Sequence, residues 1–391
     1  MKRILLITSN YTGHGHRSIS DAISEQLTRI GGISVMTVDG FSLIGTAGVS
    51  ASKLYGPITR RYSKLWEKSF AVTNNYATGM ADMMTPFIQQ RFIKKCREFN
   101  PDSIVTVHSM FLGAILNLLK LYRIDDIPFI VCQADLIDIH ASWCDPRATT
   151  TICLTEEAVA ASIRHGMPPS SLEKIGFPIR ARFCDHARQY PHAPYDGGKL
   201  KLLMMSGGDG GTDMMLYAKE ILTNTDCKME FICGRDKKSR QRLEAEILPR
   251  FPDRVRVFGF VDDVEKHMER ADLLIARGSP NTLMEAVVMN LPIMIIGALP
   301  GQEADNPALL AAHNLAITCD SPKAAPYLLK ALTQDGGKRL HEISAAQRAY
   351  RDLDAAKRIA ERIDALTVPL NRPFPNRKRT AEIAERIRNS L

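Results

Sequence analysis

The sequence predicts two doubly wound α/β domains, and three observations point there. Twice an apolar, strand-like run ends in a glycine-rich turn and passes into a segment with helical apolar spacing. Lys2–Asn10 leads into Gly13-His14-Gly15-His16 and then Ile19, Ile23 and Leu27; Lys199–Ser206 leads into Gly207-Gly208-Asp209-Gly210-Gly211 and then Met215, Ala218, Ile221 and Leu222. Between the halves, Arg180–Gly198 carries Pro191, Pro194, Gly197 and Gly198, which is linker composition. Short apolar runs then alternate with longer helical stretches, the pattern of a parallel sheet with right-handed crossovers.

In chain order, the first half offers further strand runs at Ser34–Val38, Ser103–His108, Pro128–Cys132 and Thr151–Leu154, with helical patterns at Pro86–Glu98, Phe111–Leu121 and Glu156–His165. The second half offers runs at Met229–Cys233, Val255–Phe258, Leu273–Ala276, Ile293–Ile296 and Leu315–Thr318. Its helical patterns are Lys237–Leu248, Asp263–Ala271, Asn281–Met289, Asp305–His313 and Ala324–Thr333. Arg339–Leu366 reads as one long helix, broken by Pro369, Pro373 and Pro375 before a short basic helix at Arg379–Asn389. The expected domains are therefore 1–195, 196–366 and a basic tail, 367–391.

Composition narrows the function classes. With 391 residues of which 45% are hydrophobic, the chain is globular rather than disordered. No uninterrupted apolar window is long enough to span a bilayer, and the first apolar run is too short for a secretory signal. The eight cysteines form no C-x-x-C pair, the closest two being Cys227 and Cys233, so reduced thiols in a cytoplasmic protein are expected. The net charge of +8 is localised. Lys53–Glu98 carries nine basic residues against three acids, and Leu370–Leu391 six against two, so the remainder is slightly acidic. In the first segment Tyr55, Tyr62, Leu65, Trp66 and Phe70 interleave with Lys53, Arg60, Arg61, Lys64 and Lys68. That mixture suits an anionic membrane surface; a solvated basic face over an ordinary core stripe is the alternative. No nucleic-acid motif accompanies the charge.

The glycine-rich turns admit two readings. Each can bring backbone N–H groups and a helix N-terminus to a phosphate, or each is only a tight strand-to-helix turn. Neither has dinucleotide or P-loop spacing. His16, at the start of a helix, is a candidate general base whose proton affinity the helix N-terminus would lower; an N-cap or surface histidine is the plainer reading. Asp352-Leu353-Asp354 has D-x-D spacing but falls within the expected late helix, where a solvated face is the default.

The second-half motif Arg277-Gly278-Ser279-Pro280-Asn281-Thr282-Leu283-Met284-Glu285-Ala286, with Leu291-Pro292-Ile293 and Pro300-Gly301-Gln302-Glu303-Ala304-Asp305-Asn306, resembles the donor site of inverting GT-B glycosyltransferases. The group it resembles is the monogalactosyldiacylglycerol synthases and processive diacylglycerol glucosyltransferases, of glycosyltransferase family 28 type. Gly13-His14-Gly15-His16-Arg17 is similar to that family's G-G-G-H-R turn, Val107-His108-Ser109 to its V-H-P, Ala134-Asp135-Leu136 to its T-D-L, and Ile175-Gly176-Phe177-Pro178-Ile179-Arg180 to its G-x-P-[IV]-R. Asn281 stands where the family commonly has glycine, and asparagine tolerates the left-handed conformation a glycine there suggests.

The resemblance implies a GT-B fold whose two domains face one another across a cleft, and it assigns roles. Glu285 would accept the ribose hydroxyls of a UDP-sugar. Ser279, Asn281 and Thr282 would meet the diphosphate together with Gly207 and Gly208. Gln302 and Glu303 would hold the hexose, Phe260 and Val261 the uracil, with Arg235 a further donor-side candidate. His16 is the expected base, and Asp135 either orients the acceptor proton or is a strand-end turn aspartate. Gly15, His108 and Trp66 are the acceptor-side candidates. The implied reaction moves glucose or galactose from UDP to diacylglycerol with inversion, at the cytoplasmic face of the cell membrane and with neither metal nor cofactor. A polyprenyl-linked sugar acceptor, a UDP-sugar 2-epimerase and a non-catalytic UDP-sugar-binding module are the alternatives.

Overall fold

The computed structural model describes residues 1–11, 15–61, 72–74, 76–205, 214–370 and 372–374. The chain divides into two compact units, Met1–Pro178 with the described residues from Ala355 onward, and Ile179–Asp354. The division falls at Pro178, whereas linker composition places it near residue 195.

In the first unit the elements run β1 (Lys2–Thr8), α1 (Gly15–Ile30), β2 (Ile33–Asp39), α2 (Gly40–Ile44), α3 (Thr46–Arg61), α4 (Ala77–Phe99), β3 (Ser103–Thr106), α5 (Leu112–Leu121), β4 (Phe129–Cys132), β5 (Thr150–Cys153), α6 (Glu156–Arg164) and β6 (Leu172–Lys174). The strands form a parallel sheet of order β2-β1-β3-β4-β5-β6. Ile4 to Ile7 of β1 are fully buried, as a strand covered on both faces requires. The sheet order reverses direction between β1 and β3, so the loops leaving those two strands border one crevice, the place where doubly wound sheets bind ligands.

In the second unit follow α7 (Ala181–Gln189), β7 (Lys201–Met205), α8 (Met214–Asn224), β8 (Lys228–Ile232), α9 (Lys237–Glu246), β9 (Val255–Phe258), α10 (Val264–Arg270), β10 (Leu273–Ala276), α11 (Pro280–Met289), β11 (Ile293–Ile295), α12 (Asn306–Ala312), β12 (Ala316–Thr318), α13 (Ala325–Thr333) and α14 (Lys338–Tyr350). Its sheet is parallel, of order β12-β11-β10-β7-β8-β9, and here the reversal lies between β7 and β10. The last described helix, α15 (Ala355–Leu366), returns to the first unit.

Several elements differ from the sequence reading. The expected long helix 339–366 is two helices, because the backbone turns extended at Arg351 and the Asp352 carboxylate takes the Asp354 N–H at 3.0 Å. Asp352-Leu353-Asp354 is thus a turn rather than a helix face. The linker stretch contains α7, whose Ala181, Phe183, Cys184 and Ala187 are buried. Helix α4 begins nine residues before Pro86 and runs through it. The α15 helix joins the first unit through specific bonds. Lys2 Nζ pairs with Asp364 at 2.6 Å, Arg362 forks onto Glu173 at 2.6 and 2.7 Å, and Thr367 shares a hydroxyl bond with Ser103 at 2.7 Å. Gly13, His14, Trp66 with its basic and aromatic neighbours at 62–70, Gly207, Gly208 and the basic helix at 379–389 lie outside the described residues.

Candidate active site

One cluster of candidate residues lies at the crevice of the first unit. Val107 follows β3, and its N–H bonds the Ile7 carbonyl of β1 at 2.9 Å, which fixes its own carbonyl beside the start of α1. His16, the residue after Gly15 at the head of α1, places Nδ1 2.7 Å from that carbonyl oxygen. A carbonyl only accepts, so Nδ1 carries the proton and Nε2 keeps its lone pair. The buried Ser20 hydroxyl donates to Thr8 Oγ1 at 2.9 Å and ties the first turns of α1 to the end of β1. The His108 ring lies 4.4 Å from that of His16, tilted by 39°. Phe41 meets His108 edge-on at 5.6 Å, and Phe111 stands 5.4 Å from it. His108 Nδ1 accepts the Met110 N–H at 3.3 Å.

Burial sets the protonation of both imidazoles. It pushes His16 down to about 4, opposed by the Val107 hydrogen bond. Burial, then the charge of His16, holds His108 well below the ordinary histidine value. The sequence reading expected a lowered value at His16 but traced it to the helix N-terminus; desolvation is the larger cause. Asp135 is half-buried, and its Oδ2 accepts the indole N–H of Trp143 at 2.7 Å. Trp143, fully buried, stands 6.3 Å from the His16 ring. Asp135 is thus built into the cluster through a residue the sequence reading missed. The available signal was that Trp143 is one of only two tryptophans and stands eight residues after Asp135.

A separate cluster of candidate residues lies in the second unit, beyond β10. Ser279 is the extended residue before α11 and Pro280 is its first position. Proline has no N–H, and Leu283 N already bonds the Ser279 carbonyl at 3.1 Å. Asn281 and Thr282 therefore present N–H groups that have no carbonyl one turn back. Asn281 is helical, and its φ is not among the positive values. The left-handed turn allowed for it is corrected: with Pro280 at the first helical position, the helix has already begun at Asn281.

Glu285, one turn into α11, is buried and its Oε1 accepts from Arg180 Nη2 at 2.5 Å. Burial raises its proton affinity against the pull of Arg180. Arg180 and Arg182 both stack on Phe183, at 5.1 and 5.0 Å. Glu303, expected to hold a hexose, is buried and turned onto the protein. It pairs with Arg277 Nε at 3.1 Å, and its Oε2 accepts the Leu299 N–H at 3.0 Å. A buried carboxylate needs such partners, and a cation two residues before Ser279 supplies one. The fully buried Asn306 donates to the Gly278 carbonyl at 2.9 Å, bracing the same loop. Gln302 and Val261 are half-buried, and Phe260 is 60% exposed with Arg235 5.3 Å over its ring. Arg180, Arg277 and Asn306 lay within the quoted motifs but were not singled out as site residues. Among the described residues no group of three or more His, Cys, Asp or Glu could hold a metal ion.

Residues 16–179 match the family model of monogalactosyldiacylglycerol (MGDG) synthase, and residues 212–381 match the glycosyltransferase family 28 C-terminal domain. The chain thus carries a monogalactosyldiacylglycerol-synthase domain followed by a glycosyltransferase family 28 C-terminal domain. It is 25% identical over 341 residues to the probable chloroplastic monogalactosyldiacylglycerol synthase 2 of Oryza sativa subsp. japonica, covering 83% of this chain and 72% of that one. Among solved structures it is similar to MurG of Acinetobacter baumannii, at 14% identity and a TM-score of 0.61 over 93% of this chain and 100% of that chain. It is also similar to S. aureus MnaA solved with UDP, at 13% identity and a TM-score of 0.61 over 93% and 96%. With two parallel six-stranded sheets among the described residues, the fold of this glycosyltransferase is GT-B.

Proposed function

We propose that this glycosyltransferase moves a hexose from UDP-glucose or UDP-galactose to the free hydroxyl of diacylglycerol, inverting the anomeric centre. The observation that carries the reading is the His16–Val107 bond, which leaves Nε2 of a neutral imidazole as a proton acceptor. The acceptor oxygen would attack the anomeric carbon as its proton passes to Nε2. The bond to the diphosphate would break with its electron pair leaving on UDP. An α-linked donor would give a β-glycoside. The charge that develops on the leaving diphosphate would meet the Asn281 and Thr282 N–H groups at the head of α11. Glu285, with Gln302 nearby in sequence, is assigned to the ribose and hexose hydroxyls, and Phe260, Val261 and Arg235 to the uracil end. The UDP complex of a protein of the same fold supports a uridine nucleotide donor. The diacylglycerol acceptor is supported by the family and by the named activity of the plant relatives.

Because the acceptor lives in a bilayer, the reading includes docking at an anionic membrane surface, the cytoplasmic face being the assigned side. No described helix is long and apolar enough to cross a membrane. Exposed Met83 and Phe87 with basic Arg91, Lys94 and Arg97 along α4 support docking from that helix. Incubation with diacylglycerol vesicles and labelled UDP-glucose or UDP-galactose should give a labelled, alkali-released glycolipid. Label appearing only as free sugar, or only on a polyprenyl-linked acceptor, would refute it.

A further inference from the structure

Of the residues between the exposed side chains of Val72 (57%) and Tyr76 (67%), the described Thr73 and Asn74 are both polar and both bond to one turn of the acceptor-side cluster. That turn is the short helix Ala141–Trp143, which carries the tryptophan bonded to Asp135. The Ala141 N–H donates to Asn74 Oδ1 at 2.7 Å. His140 caps the turn, its Nδ1 accepting the Ser142 N–H at 3.1 Å. An Nδ1 that accepts leaves the ring proton on Nε2, which stands 3.2 Å from Thr73 Oγ1 and donates to it. A backbone N–H at the head of a turn and the imidazole that caps it are thus both held by the residues that precede α4.

We infer that Asn74, assisted by Thr73, is a positioning residue for the acceptor-side cluster: it sets the Ala141–Trp143 turn, hence Trp143 and Asp135, and hence the wall against which His16 works. The chain of contact is continuous. Asn74 holds Ala141, the Trp143 N–H bonds the His140 carbonyl at 2.9 Å, and the Trp143 indole holds Asp135 and stands 6.3 Å from His16. The exposed residues on either side place this device at the surface assigned to lipid, so the same two polar residues join that surface to the site. Neither Thr73 nor Asn74 touches substrate in this account. Both act through the turn.

The inference rests on the glycosyl-transfer reading only for its kinetic arm; a spectroscopic arm is independent of it. The chain has two tryptophans, so Trp66→Phe leaves Trp143 as the only indole emitter. In that background Trp143 should emit as a buried, hydrogen-bonded indole. Asn74→Ala should shift the emission to longer wavelength and raise acrylamide quenching about two-fold or more, as the buried ring loosens. Asn74→Asp keeps an acceptor oxygen for the Ala141 N–H and should retain the parent spectrum; Thr73→Val should shift it less than Asn74→Ala. With diacylglycerol vesicles and UDP-hexose, in the otherwise unchanged chain, Asn74→Ala should lower kcat by about 10- to 100-fold, the order expected of a small misplacement at a reacting centre. UDP affinity should stay unchanged, and Asn74→Asp should recover most of the loss. Wild-type emission and kcat in Asn74→Ala, or equal losses in the Ala and Asp variants, would overturn the inference. If the unaltered chain transferred nothing to diacylglycerol, the assigned reaction would fall, while the emission arm would still decide the positioning.

Discussion

A single carbonyl decides which nitrogen of His16 carries the proton, and burial decides that the ring is neutral. With a folded value of about 4 against an ordinary 6.5, His16 is unprotonated across the neutral range. The acid limb of kcat/KM should accordingly fall between pH about 4 and 5 rather than near 6.5, and the profile should be flat from about 5.5 to 7.5. A limb centred at 6.5 would contradict that assignment. The same lowering has a thermodynamic side. Below pH 6.5 the unfolded chain takes up the proton first, so stability declines as the pH falls from 6.5 towards 4. His16→Gln should therefore lose less melting temperature over that interval than the wild type. In the second unit, Glu303 and Arg277 form a buried pair. Glu303→Ala takes the carboxylate at 3.1 Å from the partly buried Arg277 guanidinium and should cost on the order of 2–4 kcal/mol in denaturant unfolding. Adding Arg277→Ala should restore part of that loss, a coupling that a residue serving only as a hexose contact would not show. At this scale the candidate positions were legible, because His16, Glu285 and Gln302 stand in the motifs that carry the resemblance. The pairing of Glu303 with Arg277 was not legible, because a sequence does not say which way a carboxylate faces, and neither was Trp143, whose bond to Asp135 depends on how a loop folds back.

At the scale of elements, the candidate cluster of each unit stands where that unit's sheet order reverses. β1 and β3 diverge around His16 and Val107, and β7 and β10 diverge around the loop before α11. Strand runs and glycine turns predicted those loops, since buried parallel strands are continuous apolar runs. Helix ends were less legible. The break at 351–354 depends on an aspartate capturing a backbone N–H, and the passage of α4 through Pro86 depends on its packing rather than on local propensity. The return of α15 to the first unit could not be read from local pattern, because its partners Lys2, Ser103 and Glu173 are distant in sequence. That helix buries Ile359 and Ile363 completely. Ile363→Ala should cost about 2–5 kcal/mol, measured by chemical denaturation and read as loss of the first unit. A change below about 0.5 kcal/mol would show that α15 is not part of that core.

For the whole molecule, a net charge of +8 says little until it is located. The basic excess lies in Lys53–Glu98 and in Leu370–Leu391, and the first of these includes α4 with its exposed Met83 and Phe87. A surface that is basic and apolar together should bind vesicles containing anionic lipid, weaken as salt rises, and retain a residual salt-resistant part from the apolar side chains. Met83→Ser with Phe87→Ser should remove the residual part and leave the salt-sensitive one; binding indifferent to both salt and these changes would count against docking through α4. Fold class was legible at this scale because two strand–turn–helix openings and a parallel rhythm leave few alternatives. The division at Pro178 was not, because α7 hides in a stretch of linker composition and a helix amid prolines and glycines is decided by the core it joins.

The central claim is that His16 takes the proton from a diacylglycerol hydroxyl during hexosyl transfer, and its most direct test pairs two readings on one variant. His16→Ala should lower the rate of labelled glycolipid formation by about 10²- to 10⁴-fold while UDP affinity, measured by calorimetry, stays within about two-fold of the wild type. Glycolipid formation by His16→Ala at close to the wild-type rate, with binding intact, would contradict the account.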